Sequence, residues 1–178
     1  LLNDLFGIQS RGGCSCAGPY GHALLGIDVE HSNEISHEVA LGCEGIKPGW
    51  IRVNFNYFIS EKVFDFIVDA VHLVARDGWK LLPWYTFDVA TATWHHIQGR
   101  DTPPYSLGDV DYATGSMEYD APPATTSDDD LAGYLADARA LLDAIDPASA
   151  PRQAPLEATA SFEDLRWFLL PDEVRAGE

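Results

Sequence analysis

Basic side chains are scarce in this chain of 178 residues, because 11 Lys and Arg stand against 28 Asp and Glu and give a formal net charge of −17. Nucleic acids and anionic membrane surfaces are bound through basic patches, so we expect neither as the main partner. No uninterrupted run reaches about 18 apolar residues, which excludes a typical transmembrane helix. Hydrophobic residues still make up 46% of the chain, enough to bury a core.

Cysteine is also rare, with only Cys14, Cys16 and Cys43 present. A small odd number does not make a disulfide framework, so a reducing, cytoplasmic environment is expected. The three thiols and one histidine would together provide the four ligands of a zinc site, and the candidate histidines are His22, His31 and His37. The spacing matches no common zinc module, however, and the sequence predicts no metal site.

The N-terminal end carries neither an initiator methionine nor a secretory leader. Leu1, Leu2, Leu5 and Phe6 have the spacing of one helix face, and Gly7 is placed to end that helix. A basic stretch and a small-residue cleavage site, which a leader would need, are missing. We therefore expect the sequence to be the later part of a longer protein.

Hydrophobic periodicity predicts an α+β fold in which a small antiparallel sheet packs against helices. The strongest pattern covers residues 60–77, where apolar side chains recur at helical spacing between the N-cap candidate Ser60 and a stop at Gly78. The predicted strands are Ile8–Arg11, Trp50–Asn56, and Trp84–Phe87 with Thr93–Ile97 as a hairpin.

Acidity is concentrated in the second half of the chain. Residues 1–100 hold 11 acidic and 7 basic side chains, whereas residues 101–178 hold 17 and 4. Residues 101–130 show little periodicity and are predicted as a loop or linker. Residues 131–178 are predicted as an acidic helical tail with helices over Leu131–Ile145 and Phe162–Leu170. The predicted division is thus a domain over 1–100, a linker over 101–130 and this tail.

The segment from Arg11 to Gly21 is the most informative part of the sequence. Residues 12–21 contain four glycines and one proline, which predicts an irregular loop. A glycine-rich backbone can approach a ligand closely, and it leaves Cys16 accessible. Arg11 is near enough in sequence to favour the thiolate, the nucleophilic form of that cysteine. The plainer interpretation is a tight turn around a buried, inert thiol.

Arg52 is the second candidate site residue. It lies in the middle of the predicted strand Trp50–Asn56, between the apolar residues Ile51 and Val53. A guanidinium group held on a rigid strand suits bidentate recognition of a carboxylate. The alternative is an arginine that reaches solvent or pairs with a structural carboxylate.

Three features occur in one order, and together they resemble a known enzyme family. They are the loop Arg11–Pro19, the strand around Arg52, and the turn Tyr57–Glu61 that opens the long helix. They resemble the C-terminal small domain of class V aminotransferase-fold enzymes, which depend on pyridoxal phosphate, and the cysteine desulfurase/selenocysteine lyase group in particular. That group carries an Arg-x-Gly-x-x-Cys-Ala-x-Pro loop, and Arg11, Gly13, Cys16, Ala17 and Pro19 fall on it in register.

The resemblance implies specific roles for three residues. The arginine that matches Arg52 pairs with the α-carboxylate of the amino-acid substrate, and the cysteine that matches Cys16 attacks the substrate sulfur and carries the persulfide. Arg11 would assist beside the loop. The fold implied is the C-terminal domain of fold-type I enzymes, in a parent protein that is expected to be a homodimer.

The cofactor-binding half of such an enzyme is not expected within this sequence. A Schiff-base lysine is required for pyridoxal phosphate chemistry. Lys47, Lys62 and Lys80 are the only lysines, and none falls on the family's lysine motif. We therefore expect a fragment that is inactive alone and that works with a missing N-terminal domain. The alternative function is a non-catalytic acidic domain that docks a basic protein partner.

Overall fold

The computed structural model describes residues 1–13, 18–99, 106–119 and 127–177. Within these ranges the chain forms seven α-helices and one two-stranded antiparallel sheet, which confirms the α+β prediction. The helices are α1 Leu2–Phe6, α2 Gly18–Leu24, α3 Val29–Ala40, α4 Glu61–Asp77, α5 Leu131–Ala144, α6 Ala160–Leu165 and α7 Pro171–Ala176. The strands are β1 Tyr85–Asp88 and β2 Thr93–His96.

The long helix α4 forms where its sequence pattern predicts it. The Ser60 hydroxyl accepts a hydrogen bond from Val63 N–H at 3.2 Å and so caps the first turn. At the other end Gly78 does not stop the helical backbone, which continues as a 3₁₀ segment over Gly78–Trp84. A Cβ at Gly78 would lie 3.0 Å from a Leu1 methyl group, so this glycine allows close packing of α1 rather than a left-handed turn.

Two hydrophobic clusters hold the helices together, and both combine residues from before and after position 100. The first joins α1, α4 and α5, with Leu2, Phe6, Phe66, Ala70, Leu73, Leu81, Ala138 and Leu142 at its centre. The second lies where the sheet meets α3 and α6, with Ile35, Cys43, Ile46, Val89, Phe162 and Leu165 at its centre. Residues 131–177 therefore pack on the N-terminal part of the chain.

The acidic residues that precede α5 contact the start of α4. Ser60 Oγ donates to Asp128 Oδ2 at 2.5 Å, and the Lys62 ammonium group pairs with the Asp129 carboxylate. These contacts lie on exposed side chains, so each ion pair adds little stability by itself. They connect the turn before α5 to the first residues of α4.

Two predicted strands are wrong. Ile8–Arg11 and Trp50–Asn56 do not form a ladder, and they share only an isolated bridge between Arg11 and Arg52. Alternation of apolar and polar residues predicts a strand only if a partner and a covering layer are present. Here the apolar side is covered only at Val53, which packs against the first cluster, whereas Ile51 and Phe55 are 64% and 48% exposed.

The glycine-rich segment is also more regular than predicted, because its last residues belong to α2. Pro19 suits the first turn of a helix, where its missing N–H removes no intrahelical bond. Gly21 is buried, and a Cβ there would lie 3.4 Å from the Trp50 ring. This close approach explains a glycine inside a helix.

At the C-terminus the predicted helix Phe162–Leu170 is shorter, and a further helix follows it. α6 ends at Leu165, because Arg166 adopts an extended conformation and its guanidinium group donates to Phe168 O at 2.7 Å and pairs with Glu173. Pro171 restricts Leu170 to extended backbone and begins α7.

Among the described helices none is both long and apolar enough to cross a bilayer.

Candidate functional site

Arg11 and Arg52 lie directly opposite each other as one antiparallel backbone pair. Arg52 N–H donates to Arg11 O at 2.8 Å, and Arg11 N–H donates to Arg52 O at 3.2 Å. Residues that exchange both hydrogen bonds in this way project their side chains from the same face. The structure therefore brings together two of the three residues that the sequence singled out.

Neither guanidinium group has an acidic partner among the described residues. Both side chains are exposed, and no ion pair of either is present in the described part of the chain. Like charges on directly opposite residues destabilise an antiparallel pair. Two adjacent unpaired cations in a chain of net charge −17 are thus a candidate binding site for an anion.

The third candidate, Cys16, lies outside the described residues, as does Cys14. Gly13 and Gly18 are the described residues nearest to these two cysteines in the sequence. Gly13 O accepts a hydrogen bond from Trp50 N–H at 3.3 Å, and Gly18 lines a pocket together with the Trp50 side chain. The assignment of Cys16 as nucleophile stays a prediction.

The pocket beside Trp50 has a volume of about 270 Å³ and lies between α2, α3 and the segment that leads to Arg52. Its polar side chains include His22, Ser36 and Lys47. His22 Nδ1 is 2.7 Å from Ser32 Oγ, a contact that ties α2 to α3, and Lys47 pairs with Glu44. These partners restrain the His22 and Lys47 side chains.

The three lysines do not fit the role of a Schiff-base residue for pyridoxal phosphate. Lys47 pairs with Glu44, Lys62 pairs with Asp129, and Lys80 Nζ donates to Leu142 O at 3.0 Å. Lys47 lines the pocket beside Trp50, and neither Arg11 nor Arg52 is among the described residues that line that pocket. No residue of this chain is assigned to the cofactor.

Sequence analysis missed a buried carboxylate, that of Glu38 on α3, which is 2% exposed. It accepts a hydrogen bond from Thr159 Oγ1 at 2.5 Å, and this hydrogen bond holds the pKa of Glu38 below its usual value against the opposing effect of burial. The position of Glu38 three residues after the buried Ile35 was a signal of burial, because residues at this spacing share a helix face.

The candidate zinc ligands do not gather in the described part of the chain. Cys43 is a buried free thiol 3.9 Å from Thr159 Oγ1, whereas His22 contacts Ser32 and His31 pairs with Glu34. No group of three or more His, Cys, Asp or Glu among the described residues is arranged to hold a metal ion.

Several aromatic side chains that follow Arg52 in the sequence are strongly exposed. Tyr57 is 99% and Phe58 71% exposed, and the Phe55 and Phe64 rings contact each other at a centroid distance of 5.0 Å near the surface. An exposed cluster of this kind is characteristic of a surface that another protein covers.

No protein-family model, curated protein or solved structure matches this chain.

Proposed function

We propose that this chain is the C-terminal domain of a pyridoxal-phosphate-dependent class V aminotransferase-type enzyme, with cysteine desulfurase-like chemistry as the narrower version. Arg52 binds the α-carboxylate of the amino-acid substrate, and Arg11, the residue opposite Arg52 in the backbone pair, assists in this binding. Cys16 is the loop nucleophile. The observation that supports the proposal most directly is the Arg11–Arg52 backbone pair, whose guanidinium groups have no acidic partner among the described residues.

A carboxylate suits this arrangement for two physical reasons. A guanidinium group presents parallel N–H donors that match the two oxygens of a carboxylate. The second guanidinium group raises the local positive potential, so an anion relieves the repulsion between the two cations. The reciprocal backbone hydrogen bonds restrain both arginine backbones, which reduces the entropy lost when a substrate is positioned.

Pyridoxal phosphate would supply the electron sink for the reaction when bound to its own domain. Since the lysines of this chain are engaged in other contacts, we assign the cofactor to a domain outside this sequence. The exposed aromatic residues Tyr57 and Phe58 are the surface that we assign to that domain or to a second subunit. A reactive thiol at Cys16 suits a reducing compartment such as the cytoplasm.

The test uses the protein in which this chain is joined to its cofactor domain. The protein is incubated with L-cysteine, digested without reductant, and analysed by mass spectrometry. We expect a persulfide on Cys16 and its loss in Cys16→Ser, while the matched control Cys14→Ser retains both persulfide and sulfide release.

The outcomes separate the two versions of the proposal. An unmodified Cys16 together with normal transamination would eliminate the desulfurase version and keep the aminotransferase version. Absence of any pyridoxal-phosphate-dependent turnover of amino acids would contradict both versions and favour an acidic interaction domain.

A further inference from the structure

A groove of about 960 Å³ lies away from the arginine pair, between the hairpin and the chain that leads into α6. One wall is formed by Thr86, Phe87 and Asp88 of β1, and the other by residues 154–158. Neither Arg11 nor Arg52 lines this groove, so it is separate from the proposed carboxylate site.

The wall formed by β1 is a free strand edge. In the register of the hairpin Phe87 lies opposite Trp94. Just beyond the sheet, Ile97 N–H donates to Trp84 O at 2.9 Å, so Trp84 and Ile97 form a hydrogen-bonded pair. Hydrogen-bonded and non-hydrogen-bonded pairs alternate along an antiparallel ladder. Phe87 is therefore in a non-hydrogen-bonded pair, and its N–H and C=O point away from β2. Neither group has a partner among the described residues.

The opposite wall also has unpaired backbone groups. Residues 154–158 have no regular secondary structure, and within the described chain none of their N–H or C=O groups makes a hydrogen bond. Backbone groups of this kind are normally paired with protein or with water. The groove thus has hydrogen-bonding backbone on both sides.

Both ends of the free edge are closed by contacts within the chain. At one end the Gln153 side-chain amide donates to Tyr85 O at 2.9 Å. At the other end Gly45 N–H donates to Val89 O at 2.9 Å. The free stretch between them is Phe87, whose outward N–H and C=O can pair with one residue of an added strand.

The charge of the groove selects one kind of strand. Asp88, Glu157 and Asp172 line it, and no lysine or arginine is among its described lining residues. Asp172 pairs with Arg175, and Asp88 Oδ1 accepts from the N–H groups of Ala90 and Thr91 while it keeps its negative charge. Glu157 is exposed and makes no ion pair with the described residues. The chain as a whole has a net charge of −17, which attracts cationic partners over a longer distance.

We infer that this groove binds an extended, lysine- or arginine-containing peptide segment of a partner protein by β-strand addition to β1. The peptide backbone pairs with the N–H and C=O of Phe87, and the basic side chains lie against Asp88 and Glu157. Backbone pairing provides the binding mode, and the carboxylates provide the preference for basic sequences.

The test uses a fluorescein-labelled, end-capped peptide Lys-Val-Lys-Val-Lys and the full chain, with binding measured by fluorescence anisotropy. The control peptide has the same sequence with its three central amide nitrogens methylated, which preserves charge and removes backbone donors. We expect N-methylation to weaken binding at least about tenfold, because the added strand loses its hydrogen bonds. Hydrogen exchange followed by NMR should show new protection of the Phe87 amide.

Matched protein variants test the contribution of charge. Glu157→Gln should weaken peptide binding about two- to fivefold, as expected for one exposed ion pair. Asp137→Asn, the same change in net charge on an exposed position of α5, should leave binding unchanged. Equal binding of the methylated peptide, an unprotected Phe87 amide, or equal effects of the two variants would each overturn the inference. So would failure of the unmodified peptide to bind at millimolar concentration.

Discussion

The peptide groups of Arg11 and Arg52 exchange two hydrogen bonds, so the two arginine side chains leave this backbone pair on the same side. This contact joins the glycine-rich segment to the segment that precedes α4. Beside it, Gly13 O accepts a hydrogen bond from Trp50 N–H at 3.3 Å. The proposed carboxylate site depends on the backbone contact between the two arginines.

Arg52 should be more important for substrate binding than other exposed arginines. In the protein that carries the cofactor domain, Arg52→Ala should raise the KM for the amino acid roughly tenfold to a hundredfold, because a charge-assisted hydrogen bond to the substrate is lost. Arg52→Lys should recover part of this loss, since lysine keeps the charge but not the paired donors. Steady-state kinetics with Arg139→Ala, an exposed arginine on α5, provides the control. Equal KM changes in both alanine variants would contradict the assigned role.

Thr159 should couple the C-terminal part of the fold to α3. Its hydroxyl accepts from Phe162 N–H at 3.2 Å and donates to the Glu38 carboxylate at 2.5 Å. Thr159→Val should destabilise the protein by at least about 1 kcal/mol, the usual cost of a lost N-cap. Thr159→Ser keeps the hydroxyl and should remain close to the parent in urea denaturation. A valine variant as stable as the serine variant would show that the hydroxyl contributes nothing.

Stability should decrease in acid partly through Glu38. The hydrogen bond from Thr159 lowers the pKa of Glu38 below its ordinary value of 4.5, so the folded state favours the ionised carboxylate more than the unfolded state does. This contribution is fully present above pH 4.5 and is lost as the pH falls through the lowered pKa of the folded state. Urea midpoints measured from neutral pH downward should show a shallower acid decline in Glu38→Gln than in the parent.

Two glycines should respond in opposite directions to alanine. A Cβ at Gly45 would lie 2.4 Å from the Phe87 ring, whereas nothing lies within 4 Å of a Cβ at Gly133 in α5. Gly45→Ala should therefore destabilise the fold by about 1–3 kcal/mol through overpacking. Gly133→Ala should stabilise it by about 0.5–1 kcal/mol, because a helix loses less backbone entropy with alanine. Thermal unfolding followed by circular dichroism distinguishes the two signs.

The exposed aromatic residues next to Arg52 should promote self-association of the chain. Tyr57 and Phe58 are 99% and 71% exposed, and an uncovered apolar cluster favours contact with a second copy. Light scattering at high protein concentration should therefore detect a dimer. The double variant Tyr57→Ser, Phe58→Ser should shift the equilibrium toward monomer, whereas Tyr112→Ser, at an exposed position distant in sequence, should not. A parent chain that stays monomeric would contradict this prediction.

Elements whose signals are local and agree with one another could be predicted from the sequence. Helix α4 combines a cap at Ser60 with apolar residues on one face, and the hairpin combines β-branched and aromatic residues with a short turn. Trp50–Asn56 had alternation alone, and it remains without a ladder because only a short glycine-containing segment pairs with it. Strands require partners that are distant in sequence, and no local pattern specifies them.

The sequence by itself determined the helices α4 and α5, the hairpin, the acidic charge and the candidate status of Arg11, Cys16 and Arg52. Only the tertiary structure decided that Arg11 faces Arg52, that Glu38 is buried against Thr159, and that a free strand edge at Phe87 borders an acidic groove. The physical reason is the distance along the sequence over which each kind of interaction acts. Caps and periodicity act over one or two helical turns, whereas backbone pairing and side-chain burial depend on which distant segments the packed core brings into contact.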